Sequence, residues 1–156
     1  MAVAISIESP LQDDVRLLVA ELNAHLMPLT PREFQFQLTV EQMAEPGVTL
    51  FVARDAGARA VGMGALKEHG DGLGEVKRMY TLPEVRGQRI GRQILQSIEA
   101  LAGQKGISRL VLETGEAPGF EPAWRVYERG GFTACGAVLD YPDSGYSRFY
   151  EKKLVR

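Results

Sequence analysis

A single cysteine, Cys135, stands in a chain of 156 residues. That excludes an internal disulfide framework and a cysteine-rich zinc cluster, and Cys135 reads as a small core residue. Histidine is nearly as scarce. His25 and His69 lie far apart with no carboxylate pattern between them, so no metal site is expected and each reads as structural or exposed. No apolar run approaches the roughly 20 residues of a membrane helix. The opening MAVAISIESPLQDD has no basic n-region and soon reaches acids, unlike a secretory signal. A large excess of either charge is missing as well. The formal net charge is -2, which offers nucleic acid no global field. Two phosphate loops are also absent: there is no G-x-x-x-x-G-K-[ST], and no G-x-G-x-x-G follows a strand. Gly62-Met63-Gly64 falls inside a strand with no helix after it, so it reads as a close-packing feature. What remains is a soluble, cytoplasmic protein with neither nucleic acid nor membrane as a partner.

The composition is that of an ordinary globular protein, 45% hydrophobic and 24% charged, and the length fits one domain over residues 1–156. Ala2 to Glu8 alternates as a strand. Ser9, Pro10 and Gln12 then read as a helix start, with Leu11, Val15, Leu18, Leu22 and Leu26 as its apolar stripe. TPREFQFQ reads as a loop with aromatics and TVEQMAE as a short helix. Two strands about a turn at Asp55 to Ala58 form a hairpin. Gly74 to Leu82 is a strand, and Ile90, Ile94, Leu95, Ile98, Leu101 and Ala102 mark a helix ended by Gly103 or Gly106. Arg109 to Thr114 is a buried strand. EPAWRVYERGGF is a helix closing at Gly130 and Gly131, and GFTACGAV and GYSRFYEKKL are the last strands. The order β-α-α-β-β-β-α-β-α-β-β predicts an α/β (α+β) fold, a mixed sheet flanked by helices.

The stretch VRGQRIGRQIL, Val85 to Leu95, is not ordinary packing. Arg86, Gly87, Gln88, Arg89 and Gly91 precede and open an apolar-periodic helix. From Lys77 to Arg92 the bases Lys77, Arg78, Arg86, Arg89 and Arg92 face one acid, Glu84. A helix N-terminus supplies unpaired N–H groups and the positive end of a dipole. Glycine lets the backbone close on a ligand, and arginine adds bidentate phosphate recognition. The alternative is a solvated helix start with snorkelling arginines.

A strand, the turn TLPEVRGQRIG and a helix together resemble the GCN5-related N-acetyltransferase family. Its signature, Q/R-x-x-G-x-G/A, binds the pyrophosphate of coenzyme A through loop amides. Arg86 and Gly91 match the first and last positions, while Arg89 stands where the family usually has glycine. VYERGGF, Val126 to Phe132, resembles the family's LYEKxGF segment, whose tyrosine lies by the thioester sulfur. Residues 74 to 133 carry the resemblance, and the first 70 follow it by element order. Phe120 departs from the asparagine that many members place ahead of the tyrosine helix. The resemblance implies a mostly antiparallel central sheet, acetyl-CoA as cosubstrate, no metal, and an amine of a small molecule or protein as acceptor. A homodimer is left open.

Acetyl transfer to an amine requires loss of the amine's proton, a donor for the oxyanion and a proton for the departing thiolate. By resemblance Tyr127 is the acid, against a reading as a core aromatic. Glu75 stands where some members carry a base acting through water, against a reading as an exposed strand residue. The family splays the preceding strand, making the Met79 N–H the oxyanion donor. Met79, Tyr80 and Thr81 then contact the pantetheine through main chain, and Arg86, Gly87, Gln88, Arg89, Ile90, Gly91 and Arg92 seat the pyrophosphate. Glu68, Asp71, Glu75, Asp140 and Asp143 are acids that could favour a cationic acceptor, and Phe34, Phe36, Tyr141 and Tyr146 are aromatics for its pocket or for covering the core. A non-catalytic acyl-CoA sensor and a nucleotide-binding protein are the rival readings.

Overall fold

The computed structural model describes residues 3–154. Ala2, at the head of the expected first strand, lies outside the described residues. The elements are β1 (Ala4–Ile7), α1 (Asp13–Leu26), α2 (Val40–Met43), β2 (Val48–Arg54), β3 (Ala60–Gly70), β4 (Leu73–Thr81), α3 (Ile90–Gln104), β5 (Arg109–Gly115), α4 (Glu121–Arg129), β6 (Thr133–Cys135) and β7 (Ser147–Lys153). They follow the order expected from periodicity. The strands form one seven-stranded sheet in the order β1-β2-β3-β4-β5-β7-β6. Every pairing is antiparallel except β4 with β5. Among the described residues no helix is long and apolar enough to cross a membrane.

The first helix begins later than expected. Gln12, not Ser9, is its N-cap, and Leu11 precedes the helix and is half exposed. The cause is a distant arginine. Arg54 of β2 bonds Glu8, Gln12 and Asp14, and Gln12 turns its amide back to the Ser9 carbonyl. With Gln12 held in this network in an extended conformation, the helix opens only at Asp13. Val15, Leu18, Val19 and Leu22 are buried as expected. The short α2 carries a capping box from Thr39 to Gln42. The strand expected over GFTACGAV is cut to Thr133–Cys135. The residues that follow form a long loop carrying Tyr141.

Ile90, Ile94, Leu95, Ile98 and Ala102 form the buried face of α3. The helix lies close on β3 because that strand has glycine beneath it. A Cβ on Gly62 would come within 3.1 Å of Ile94 and 3.3 Å of Ile90. Alternation turns Val61, Met63 and Ala65 to the other face, where they are wholly buried. The Gly62-Met63-Gly64 stretch is a close-packing device, as its place in a strand predicts.

Candidate active site

The central strands part company. β4 and β5 pair only at Leu73–Arg109, Gly74–Leu110 and Glu75–Val111. Beyond Glu75, β4 continues with β3 to Thr81 and β5 with β7 to Gly115. The divergence opens a cavity of about 880 Å³, with Val76 to Thr81 on one wall and Glu113 to Gly115 on the other. Its size suits a small-molecule site.

A bulge shapes the β4 wall. The β3–β4 register shifts between Met63 and Ala65, so Arg78 and Met79 stand opposite Gly64. Arg78 takes a left-handed φ of 57°, the local bend that a bulge requires. The Met79 side chain covers Gly64 so closely that a Cβ there would lie 2.5 Å from its sulfur. Met79 has no register partner on β3 or on β5.

At the cavity mouth, a single 3-10 turn at Pro83–Val85 leads into the basic loop. Gly87 has φ 87°. Arg89, the N-cap of α3, has φ 63° and ψ 21° and makes no side-chain cap bond. The glycine expected by the family signature is thus replaced by an arginine that holds a glycine-like conformation. A left-handed residue followed by helical ones turns successive N–H groups toward one point, an anion nest. The Gln93 N–H bonding the Arg89 carbonyl at 3.1 Å opens the helical ladder. The amides of Ile90, Gly91 and Arg92 therefore have no intrahelical acceptor. Arg86, Gly87, Arg89, Ile90, Gly91 and Arg92 line the cavity, and Gln88 does not. The Gln88 Oε1 is instead buried without a partner. Arg86 stacks over the Tyr80 ring at 5.8 Å. A Cβ on Gly91 would rest against Val126 of α4 at 3.6 Å, an ordinary contact.

The inner end is acidic and aromatic. Glu75 is 2% exposed. Its Oε1 pairs with His69 Nε2 at 2.9 Å, and its Oε2 accepts from the Tyr141 hydroxyl and from Lys77 Nζ at 3.4 Å. Lys77 also donates to the Tyr141 oxygen at 2.6 Å. The Tyr141 ring meets Phe36 edge-on. Glu113, facing the cavity from β5, accepts from Ser147 Oγ at 2.6 Å. Burial raises its carboxyl above the usual range, and the Glu75 charge adds to this against the pull of Ser147 and Lys77. Tyr127 of α4 is buried between Phe132 and Tyr150 and lines the cavity. Among the described residues its hydroxyl has no hydrogen-bond partner. Burial, with the nearby Glu113 and Tyr150, raises that hydroxyl well above the ordinary phenol value and keeps it protonated.

The catalytic and cofactor-binding residues read from the sequence line one cavity, apart from Gln88, whereas Glu68, Asp71, Asp140, Asp143 and Tyr141, named there for the acceptor, lie outside its lining. Lys77 and Arg78, counted in the sequence with the phosphate-binding bases, separate in the structure. Lys77 joins Glu75, and Arg78 turns to Asn23 of α1. Glu113 escaped the sequence reading, since a lone acid in an apolar strand carries no motif. Its signal was its place two residues beyond Val111, on the same face of β5. Of the loop aromatics, Phe34 and Phe36 line the cavity, while Tyr146 stacks on Phe34 and stays 47% exposed.

The family model described as "Acetyltransferase (GNAT) family" matches residues 16–132. The chain is 40% identical over 153 residues to a protein of Azospirillum brasilense named IAA acetyltransferase, covering 97% of this chain and 98% of that one. It is 37% identical over 142 residues to the N-acetyltransferase YsnE of Bacillus subtilis, covering 89% of this chain and 93% of that protein. Among solved structures, an acyl-CoA N-acyltransferase of Klebsiella pneumoniae superposes with a TM-score of 0.82 at 31% identity, covering 98% of both chains. The PaiA N-acetyltransferase of Thermoplasma acidophilum, solved with coenzyme A, superposes at 0.71 with 18% identity, covering 99% of this chain and 100% of that one. At that identity it speaks for the fold alone.

Proposed function

This chain belongs to the GNAT acetyltransferase family, an acetyl-CoA-dependent acyltransferase, and we propose that it moves the acetyl group onto a primary amine by direct attack. The observation carrying this reading is the junction of a splayed β4–β5 pair with an uncapped, arginine-flanked α3 N-terminus. The residues fit acetyl-CoA. The amides of Ile90, Gly91 and Arg92, with Arg86 and Arg89, suit the pyrophosphate, and main chain from Met79 to Thr81 suits the pantetheine amides. Bound there, acetyl-CoA supplies an activated acyl carbon on a thiolate leaving group.

In the transfer a carbon–nitrogen bond forms, the carbon–sulfur bond breaks, the amine yields a proton and the thiolate gains one. Two carboxylates flank the splay. Glu75 is committed to His69, Lys77 and Tyr141, and in this reading it orders that wall and the amine. Glu113 has a single side-chain donor in Ser147, and burial moves its proton affinity toward neutral pH. It is the better matched base. The Met79 N–H, in the bulge, serves the oxyanion. Tyr127, protonated and without a protein partner, serves the departing sulfur.

The test is an amine panel with acetyl-CoA, following release of free CoA thiol. IAA, the acceptor in the Azospirillum relative's name, belongs in the same panel. Turnover of an amine supports the reading. Tight acetyl-CoA binding without turnover of any acceptor would overturn it in favour of an acyl-CoA sensor.

A further inference from the structure

Arg78 is a charge without a counter-charge. It is 8% exposed, and its backbone is fixed in the bulge at φ 57°. One guanidinium nitrogen donates to the neutral Asn23 carboxamide, while Nε is buried with no partner. Among the described residues no carboxylate forms an ion pair with it. Lys77 beside it has Glu75, and Arg86, Arg89 and Arg92 of the same cavity, which make no ion pair among the described residues, are exposed to water. Burial, with no acid offsetting it, pulls the Arg78 guanidinium down to about 10. Buried charges are otherwise paired, because an unpaired one bears its full desolvation cost.

Arg78 also lines the cavity, as do Leu22, His25, Leu26, Phe34 and Phe36, and its bond to Asn23 sets it against α1. Those five residues belong to α1 and the segment after it, elements other than the α3 N-terminus that suits pyrophosphate. The thioester end of acetyl-CoA is uncharged, so the cosubstrate brings nothing to neutralise Arg78. Building on the acetyltransferase reading, we infer that the acceptor carries a carboxylate, that Arg78 receives it, and that the acceptor is of the class of free amino acids with an apolar side chain. The guanidinium fork matches a carboxylate in two parallel hydrogen bonds. The leucine and phenylalanine side chains suit an apolar body, and Glu75 and Glu113 suit the amine.

The experiment compares L-phenylalanine with L-phenylalaninamide, and L-leucine with L-leucinamide, as acceptors of the wild-type protein. The amide's amine loses its proton more easily, so preference for the acid runs against intrinsic reactivity. The acids are expected to exceed the amides in kcat/KM by at least about tenfold, because the amide leaves the buried guanidinium unpaired. Arg78→Met is expected to raise the KM for the acid more than about tenfold, remove the discrimination and leave acetyl-CoA affinity unchanged. Arg78→Lys, which keeps charge but loses the fork, should be intermediate. A second arm needs neither turnover nor a variant: calorimetric binding of N-acetyl-L-phenylalanine and its amide to wild type with CoA. Preferential binding of the acid without any acetyl transfer would keep the Arg78 assignment and sink the transfer reading. Equal turnover of acid and amide, or no preference for the acid in binding, would overturn the assignment.

Discussion

The Tyr141 hydroxyl donates to Glu75 across 66 positions of sequence, tying the loop before β7 to the point where β4 leaves β5. It also accepts from Lys77 Nζ at 2.6 Å, so one phenol oxygen bridges the acid and the base of this wall. Burial and the Glu75 charge raise the Tyr141 hydroxyl far above the usual phenol value, which keeps it a donor. Tyr141→Phe keeps the edge-on ring contact with Phe36 and removes a charge-assisted bond from a buried carboxylate. The expected loss is about 1–3 kcal/mol of stability, with acetyl-CoA affinity unchanged. Chemical denaturation beside a binding titration checks both, and an undiminished unfolding midpoint would show that the bridge contributes nothing.

The basic loop separates charge from conformation. Arg86→Glu sets a carboxylate against pyrophosphate and should weaken acetyl-CoA by more than about tenfold. Arg89→Gly is the more informative change. A left-handed φ costs an L-residue about 1–2 kcal/mol, and glycine relieves it while loosening the unfolded chain. This variant should therefore melt no lower than the parent and lose less than about tenfold in affinity, since the Arg89 backbone amide is retained. A large fall in affinity would assign the Arg89 side chain itself to the phosphates.

Gly64 fixes the bulge from beneath. In Gly64→Ala the new Cβ would lie 2.5 Å from Met79 Sδ and 2.7 Å from Ile94 Cγ2, so Met79 must move. Overpacking of this kind costs about 1–3 kcal/mol, and acetyl-CoA binding should weaken with it because the bulge carries the main chain of the site. Gly91→Ala is the control. Its Cβ meets Val126 at an ordinary 3.6 Å, so stability and affinity should hold. The branches of Gly91→Val press on Val126, shift the first turn of α3 and weaken binding.

The order of elements was legible because each hydrophobic period is a local property. That the basic loop and the α4 tyrosine would meet at one cavity was legible too, since Arg86, Gly91 and Tyr127 stand at motif positions. Features set by contacts distant in sequence were not. The true start of α1 depends on Arg54, 46 positions from Glu8, which no local capping pattern contains. The bulge at Arg78 depends on cross-strand register, which sequence leaves open. Lys77 and Arg78 look like one basic patch in sequence. Strand alternation and the bulge send Lys77 to Tyr141 and Arg78 to Asn23.

Glu75 and Glu113 can be told apart by pH. Burial raises the Glu113 carboxyl, so the folded protein holds that proton more tightly than the unfolded chain. The resulting stability is complete below the ordinary carboxylate value and is lost as pH rises through the raised one. Glu113→Gln removes that loss and keeps an acceptor for Ser147. At neutral pH it should melt above the parent, by on the order of 2–4 °C per kcal/mol of relief. Its turnover should fall about 100-fold at neutral pH and recover as solvent deprotonates the amine. Glu75→Gln, which loosens His69, Lys77 and Tyr141, should lower turnover evenly across the range. If the pH-dependent loss follows Glu75 instead, the base is Glu75.

Tyr127→Phe places the chemistry most at risk. The ring sits about 6 Å, centroid to centroid, from Phe132 and Tyr150, and phenylalanine preserves both contacts. Among the described residues no protein group bonds the hydroxyl, so its removal strands no buried partner, and stability should stay within about 0.5 kcal/mol. A hydroxyl donating to the sulfur gains strength as negative charge develops there. Its loss therefore appears in kcat and leaves ground-state binding of acetyl-CoA almost untouched. General acid catalysis contributes about 100- to 10,000-fold, and a thiolate that leaves readily puts the expectation at the lower end. Steady-state kinetics, a melting curve and an acetyl-CoA titration on the same preparation decide the matter. Full turnover in a well-folded Tyr127→Phe would return the residue to the core and leave water to protonate the thiolate.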